Sequence, residues 1–242
     1  MFRFLKEMVD AIREGAAEGI AESRQEAAQA AALKDQQAAQ HASDMEQRLA
    51  MTSQPERLAA ALAAPYRETF LSELSSAASD GRVPLFLFSA SLPDAEVVEW
   101  KSLLQRDFDI EDADSSRAVI TALVGGVTPA TDSGELAVSI VRAAHVATGA
   151  AGVGFITAGQ ATDWAAPLTA LAASRFDGWP AFGQAFLAGE AHAAGSNFLG
   201  RKVLANAVKR LLDDAASPWQ SVTWPQPGRP LPDSGLSRPF TP

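Results

Sequence analysis

His192 and Ser196 are the sequence's nearest approach to a nucleophile with its base. On a continuous helix, a spacing of four places the imidazole and the hydroxyl on one face. Serine catalysis also needs a third group that orients the histidine and donors that hold an oxyanion, and no such groups accompany this pair. Gly195 is expected to end the helix between them, so we interpret Ser196 as a loop serine and His192 as a half-buried histidine.

Five acidic residues lie between positions 107 and 114 and suggest a calcium-binding loop. An EF-hand loop requires glycine at its sixth position and glutamate at its twelfth, and the residues at those positions are Asp112 and Ala118. We therefore interpret the run as a solvated turn that caps the next helix, and we predict no metal site. The glycines at 149, 152 and 154 are interpreted as a tight turn between helices, because glycine motifs that bind phosphate follow a strand.

Arg142 lies in an otherwise apolar helix, so its charge must reach water or a carboxylate. A structural ion pair is one explanation, and a ligand-binding role is the other. If the protein is an enzyme, we expect a hydrolase with a diffuse pocket between helices that includes Arg142, Trp164, Trp179 and His192. No catalytic, cofactor-binding or metal-binding residue is assigned and no cofactor is expected, because the chain contains no zinc-helix, nucleophile-elbow or phosphate-loop motif.

The composition predicts helices. Hydrophobic residues make up 47% of the 242 residues, and much of that share is alanine, which has the highest intrinsic helix propensity. Strand-forming residues are scattered, and Tyr66 is the only tyrosine in the sequence. We therefore predict an all-α protein: a multi-helix globular domain that follows a long N-terminal amphipathic and Ala-, Gln- and Glu-rich helical arm and precedes a disordered, proline-rich tail.

Charge and cysteine content disfavour several classes of function. A formal net charge of −9 argues against nucleic acid, whose phosphates require clustered Lys and Arg. The absence of cysteine excludes thiol catalysis and thiolate metal sites. No apolar run approaches the roughly 20 residues that span a bilayer, and Glu7 and Asp10 interrupt the stretch that a signal peptide would need. We expect a cytoplasmic protein.

The first 23 residues have the clearest helical pattern in the chain. Their apolar residues share one arc of a helix, and two glycines in that arc would let another helix approach closely. The candidate interaction face consists of Phe4, Leu5, Met8, Val9, Ile12, Gly15 and Gly19. Three uses remain open: packing on the protein's own body or on a second copy, docking into a groove of another protein, and lying on a membrane surface. The acidic excess of the polar arc disfavours the membrane surface.

Three segments are expected along the chain. Residues 1–52 form the arm and a spacer, residues 53–225 form a helical globular domain, and residues 226–242 form the tail. The segment after Trp224 holds six of the fourteen prolines, and the tail is predicted to be disordered or polyproline-like. The apolar run VPLFLFSASL at 83–92 is interpreted as a buried connection rather than a strand, because it contains a proline and stands alone.

Several local signals mark helix ends within the domain. Ser53 with Glu56 and Thr157 with Gln160 have the spacing of capping boxes, which begin helices. Pro65 is expected to break a helix or to start a new one. A helix that begins after the linker near position 133 is expected to end at Gly149. Residues 195–200 are expected to form a loop.

Spaced arginine, glycine and aromatic residues between about 97 and 225 form a pattern. It consists of Arg142, Gly154-Phe155-Ile156-Thr157, Trp179 with Phe182, Phe186 with Gly189, and Ser217-Pro218-Trp219 with Trp224. This order of features resembles a bacterial family, the domain of unknown function numbered twelve-sixty-six. The chain departs from the family pattern at 138–139, which is Val-Ser where an aromatic-Asp pair is usual, and after Gly189, where it has Glu. The resemblance implies a helical bacterial domain and little about activity.

The acidic charge, the amphipathic arm and the missing catalytic motif together favour a protein–protein interaction module. We expect an accessory, adaptor or antitoxin-like factor that binds a protein partner, or a second copy of itself, through residues 1–23. The alternative is the hydrolase described above, and a third possibility is a structural oligomer assembled through the arm. Whether the protein is an enzyme is left open, with the balance against it.

Overall fold

The structure is a computed structural model that describes residues 29–33, 36, 52–74, 94–128, 132–193, 197–215 and 217–226. The chain divides into two units, Met1–Gln47 and Arg48–Pro242. In the first unit, residues 29–33 and 36 are helical and exposed, as expected of a segment with little apolar surface to bury. The second unit is called the helical unit. The expected boundaries at residues 52 and 225 stay a prediction.

The described residues of the helical unit form eight helices and no strand. They are α1 (Gln54–Leu74), α2 (Asp94–Phe108), α3 (Ala113–Gly126), α4 (Ser133–Gly152), α5 (Ala158–Arg175), α6 (Trp179–His192), α7 (Phe198–Asp213) and α8 (Pro218–Ser221). The prediction of an all-α, multi-helix globular domain is confirmed for these residues. The amphipathic segment 1–23, the apolar run 83–92 and most of the tail lie outside the described residues.

Helix α4 is the centre of the helical unit. It packs against α1, α2, α3, α5 and α6, and residues on all of its sides are buried. Helices that are apolar all round belong in a protein core. Small residues allow this crowding: a Cβ added to Gly189 on α6 would lie 2.2 Å from the backbone oxygen of Gly134 on α4. The alanine-rich composition thus supports close helix packing as well as helix formation.

The expected end of α4 at Gly149 is wrong, because the helix continues to Gly152. Gly149 faces Trp100 of α2, and a Cβ there would meet the indole at 3.0 Å. This glycine therefore makes room for a side chain rather than stopping the helix. The turn to α5 is made by Val153 and by Gly154, whose φ of 80° is in the left-handed region. The expected tight turn between helices is found at Gly154 alone, because Gly149 and Gly152 both belong to α4.

Pro65 does not interrupt α1, which runs without a break from Gln54 to Leu74. A proline inside a helix cannot donate to the carbonyl four residues earlier, which here belongs to Ala61. The indole Nε1 of Trp219 donates to the Ala61 oxygen at 2.8 Å and takes the place of that missing bond. The expectation of a break or restart is therefore wrong, because a distant side chain satisfies the group that the proline leaves open.

Side-chain caps fix several helix starts. Ser53 and Glu56 bond each other's backbone N–H, and Thr157 and Gln160 form a full capping box, so both predictions are confirmed. Asp112 caps α3, which confirms the interpretation of the acidic run as a capping turn. The expected loop at 195–200 is shorter than predicted, because α7 already begins at Phe198. None of the described helices has the length and apolarity needed to span a membrane.

Candidate functional site

Five polar side chains from three helices lie close together in the helical unit, and we call them the polar cluster. They are Tyr66 and Arg67 on α1, Arg142 and His145 on α4, and Glu190 on α6. Helical spacing explains the pairing on α4, because residues three apart share a face. Most of the surrounding core consists of alanine, aliphatic and aromatic side chains.

His145 is buried in this core, with 5% of its surface exposed. Its ring lies 5.2 Å from that of Trp100 and 5.6 Å, edge to face, from that of Tyr66. The Nδ1 atom has no hydrogen-bond partner among the described residues. Burial, together with the positive charge of Arg67, lowers the pKa of His145 to about 3. The imidazole is therefore neutral near pH 7, with a buried polar atom left open.

Tyr66 connects α1 to α6 through its hydroxyl, which donates a hydrogen bond to a carboxylate oxygen of Glu190. Its ring packs edge to face on Phe186 at 5.4 Å, so the phenol is held between α4 and α6. Burial raises the pKa of the Tyr66 phenol, and the bond to Glu190 raises it further. The nearby charge of Arg142 acts in the opposite direction, which places that guanidinium beside the same hydroxyl.

Arg67 is the buried cation of the polar cluster, with 5% of its surface exposed. Its guanidinium carbon lies 5.5 Å from the centroid of the Trp100 ring, within the range of a cation–π contact. Desolvation lowers the pKa of Arg67 to about 10, so the side chain remains charged near neutral pH. Arg142, one turn before His145, is exposed to solvent. The polar cluster thus has a buried end and an accessible end.

A second feature of the helical unit is an apolar surface at the start of α7. Phe198 is 75% exposed, Leu199 is 69% exposed and Val203 is 37% exposed. Leu199 and Val203 are four residues apart and therefore share one side of the helix. Single exposed apolar residues are common, but adjacent large ones are typical of interaction surfaces. Together with Arg201 and Lys202, these residues are called the α7 face.

The α7 face is basic in a chain whose net charge is −9. Helix α7 contains four basic residues and one acidic residue. Lys209 pairs with Asp213, and Arg210 pairs with Glu68. Arg201 and Lys202 have no ion-pair partner in the part of the chain that the structure describes, and both are exposed. Their charge is therefore available to a negatively charged partner.

The four residues of the predicted pocket have different surroundings. Arg142 lies in the polar cluster, and Trp164 is half-buried on α5. His192 is exposed rather than half-buried, and its Nδ1 lies 2.7 Å from the Ala188 oxygen of its own helix. No hydrogen bond or ring contact joins any two of the four within the described residues. A pocket formed by them stays a prediction, and Ser196 lies outside the described residues.

Trp179 belongs to an aromatic group that closes the core. It stacks on Trp219 at 5.4 Å and meets Trp224 edge to face at 4.6 Å. Its Nε1 donates to the Val222 oxygen at 2.8 Å, while that of Trp224 donates to the Phe176 oxygen at 3.0 Å. A Cβ added to Gly183 would lie 2.9 Å from the Trp219 ring, so that glycine makes space for it. These contacts are structural, because they join α6 to the C-terminal segment that covers the core.

The predicted interaction face at residues 4–19 lies outside the described residues, so its role stays a prediction. Of the polar cluster, only Arg142 was predicted from the sequence as a candidate site residue, and the other four members were not. One signal could have found His145, because it lies one helical turn after Arg142. Nothing local relates Tyr66 to Glu190, which are 124 positions apart.

Comparison with known proteins connects the chain to one family. The family model described as "Protein of unknown function (DUF1266)" matches residues 4–224. Searches of curated proteins and of solved structures give no match. The match covers most of the sequence, including every described helix of the helical unit, and it agrees with the pattern of spaced arginine, glycine and aromatic residues. The chain therefore belongs to the DUF1266 family of proteins of unknown function.

Proposed function

We propose that this protein is an interaction module that binds another protein through the α7 face. The observation that carries the proposal is the pair of large apolar side chains, Phe198 and Leu199, exposed beside Arg201 and Lys202. A partner that fits has an apolar centre bordered by carboxylates. The proposal places the protein in the bacterial cytoplasm as an accessory, adaptor or antitoxin-like factor.

The energetics of the exposed residues support this proposal. Each buried Å² of apolar surface contributes roughly 25 cal/mol, so aromatic and leucine side chains are strong anchors once covered. Interfaces are enriched in aromatic residues and arginine, and their strongest contacts cluster at a desolvated centre. Phe198 and Leu199 contribute little to the fold at their present exposure. Their value to the protein is therefore greater in a complex than in the free chain.

The charges make the proposal more specific. The local positive charge of Arg201 and Lys202 would attract an acidic surface, whereas the rest of this acidic chain would repel it. We therefore expect association that weakens as salt is added, with an apolar contribution that persists. The N-terminal segment 1–23 is a second candidate binding surface for the same partner or for self-association. Deleting that segment distinguishes binding through residues 1–23 from binding through the α7 face.

The test compares two matched variants of the full-length protein. Phe198→Ser with Leu199→Ser removes the apolar centre of the α7 face. Val98→Ser on α2 removes a single apolar side chain that is 63% exposed elsewhere. Partners that co-purify with the wild type are identified by mass spectrometry, purified and titrated against each variant, while far-ultraviolet circular dichroism checks the fold.

The proposal expects a stoichiometric partner that binds at least tenfold more weakly to the α7 variant and equally well to Val98→Ser. Light scattering on the purified protein shows whether that partner is a second copy. A partner that binds the folded α7 variant as tightly as the wild type would contradict the proposal. If deletion of residues 1–23 abolishes binding while the α7 variant still binds normally, then the arm is the binding surface and the α7 face is not.

A further inference from the structure

The exposed apolar part of the α7 face is short. Phe198, Leu199 and Val203 lie within about 7.5 Å along the axis of α7, because each residue of a helix rises about 1.5 Å. Further along α7, the exposed side chains of Asn206 and Lys209 are polar. An apolar strip of this size is too small for a broad obligate interface, and it fits one side of a single amphipathic helix.

The cations of the α7 face indicate which kind of surface it binds. Arg201 and Lys202 are exposed and have no ion-pair partner among the described residues. If the α7 faces of two copies packed directly on each other, these cations would gather in one interface, and like charges placed together oppose association. The occupant of the α7 face therefore needs an apolar strip with carboxylates beside it.

Residues 1–23 lie outside the described residues, but their sequence has that combination. As a helix, they place the apolar residues of the candidate interaction face on one arc. Glu14, Glu18 and Glu22 are four residues apart and therefore form a row along one edge of that arc. Residues 14–23 contain no Lys or Arg, so no cation of that half of the segment neutralises the row.

Two glycines on the same arc leave room for a large side chain. Gly15 and Gly19 are one helical turn apart among the apolar residues. The helical unit packs an aromatic ring against a helix glycine in the same manner, because a Cβ added to Gly183 would lie 2.9 Å from the ring of Trp219. The exposed ring of Phe198 has the size to fill such a space.

We propose that the α7 face binds residues 1–23 of a second copy of this chain. The apolar arc of the segment covers Phe198 and Leu199, and the glutamate row faces Arg201 and Lys202. Because each copy has both the segment and the α7 face, two copies exchange their segments and form a closed dimer with two equal contacts. The inference rests on the proposed function, since it names the partner of the α7 face.

The experiment measures the dimer dissociation constant of the full-length protein by sedimentation velocity over a range of concentrations. The α7 variant, Phe198→Ser with Leu199→Ser, removes the apolar centre of the α7 face. The segment variant, Met8→Ser with Ile12→Ser, removes the apolar centre of residues 1–23. Circular dichroism checks that each variant is folded.

Matched controls change similar residues away from the two surfaces. Val98→Ser on α2 is the control for the α7 variant. Ala17→Ser with Ala21→Ser, on the polar side of the segment, is the control for the segment variant. Lys202→Glu reverses one exposed charge and keeps every apolar side chain, so it tests the α7 face even if the α7 variant does not fold.

The inference predicts that the wild type dimerises and that the α7 variant and the segment variant each dimerise at least tenfold more weakly. The controls should match the wild type. Lys202→Glu and added salt should both weaken the dimer, because part of the attraction is electrostatic.

A mixture of the two variants gives the sharper readout. The segment variant keeps an intact α7 face, and the α7 variant keeps an intact segment. A 1:1 mixture should therefore form a heterodimer at least tenfold tighter than the homodimer of either variant. It should remain weaker than the wild-type dimer, because it has one contact rather than two.

Three results would overturn the inference: a wild type that stays monomeric at every concentration, a segment variant that dimerises as tightly as the wild type, and a mixture that forms no heterodimer. Failure of the inference is distinguishable from failure of the proposed function. If the α7 face captures a different protein while the chain stays monomeric, this inference fails and the proposed function stands. If a dimer forms that the folded α7 variant does not weaken, both fail.

Discussion

The bond from Trp219 to the Ala61 carbonyl leads to a quantitative prediction about stability. The Trp219 Nε1 atom donates at 2.8 Å to a carbonyl that Pro65 cannot reach. Replacing Trp219 with Phe therefore leaves a buried acceptor without a partner, because Ala61 is fully buried. Leaving such a group unsatisfied costs about 1–3 kcal/mol. The same substitution also loses packing, which has to be separated from the hydrogen bond.

A double-mutant cycle with Pro65→Ala makes that separation. Alanine in place of Pro65 restores an N–H that can donate to the Ala61 carbonyl, so Trp219→Phe no longer leaves it open. The packing loss is the same in both backgrounds and cancels. We expect Trp219→Phe to cost about 1–2 kcal/mol less in the Pro65→Ala background than in the wild-type background. Urea unfolding followed by circular dichroism measures all four free energies of unfolding.

Trp179→Phe is the matched control for this cycle. Its indole is also buried and also donates to a carbonyl, but that carbonyl belongs to Val222 and does not depend on Pro65. Its cost should be the same in both backgrounds to within about 0.5 kcal/mol. If the loss of stability caused by Trp219→Phe is also the same in both backgrounds, then the indole does not replace the missing helix bond. The explanation for the unbroken α1 would then fail.

Three further predictions concern packing and pH. Gly189→Ala should destabilise the protein by more than about 3 kcal/mol in urea unfolding, because its Cβ meets the Gly134 backbone at 2.2 Å. Gly159→Ala, whose nearest neighbour is at 3.8 Å, should stay within about 1 kcal/mol of the wild type. His145 takes up a proton in the unfolded chain near pH 6.5 but in the folded protein only near pH 3. Its lowered pKa should therefore reduce stability by about 1.4 kcal/mol per unit as pH falls through that window. His145→Gln should lose about 2 kcal/mol less than the wild type between pH 7 and pH 5, and an equal loss in both proteins would contradict the burial of a neutral imidazole. Hydrogen bonds from the Ser115 backbone lower the pKa of Asp112 below its usual value near 3.8. The contribution of the Asp112 carboxylate to stability is complete above that value and is lost as pH falls through the lower pKa of the folded state. Between about pH 4 and about pH 2, the melting temperature should therefore fall less steeply for Asp112→Asn than for the wild type.

Local patterns predicted most of the described helices, because the information that fixes them is local. The capping pairs at Ser53 and Thr157 depend on residues three positions apart, and both formed as expected. The errors arose where a distant side chain decides the outcome. Trp219, which is 158 positions from Ala61, bonds the Ala61 carbonyl and so keeps α1 continuous at Pro65. Trp100 of α2 packs against Gly149 and explains why a glycine lies inside α4.

The candidate sites were less predictable for the same reason. The polar cluster includes Tyr66 from α1 and Glu190 from α6, and no spacing within α4 reveals either residue. Glu190 stood out in the sequence only as a departure from the family pattern, and the structure connects it to Tyr66. The α7 face was missed because an exposed apolar residue and a buried one look alike in a sequence. Only the packing of the helix decides which side is covered.

The most direct test of the proposed function places a photoreactive phenylalanine analogue at position 198 of the full-length protein in cells. The same analogue at position 98 is the control, since both sites are exposed and apolar. The account predicts one discrete crosslinked protein from position 198 and none from position 98. When the crosslinking reaction is repeated in lysate, the yield from position 198 should fall as salt is added. If the photoreactive side chain forms no protein crosslink at either position, or if both positions give the same crosslinked products, the assignment of the α7 face as a binding surface is contradicted.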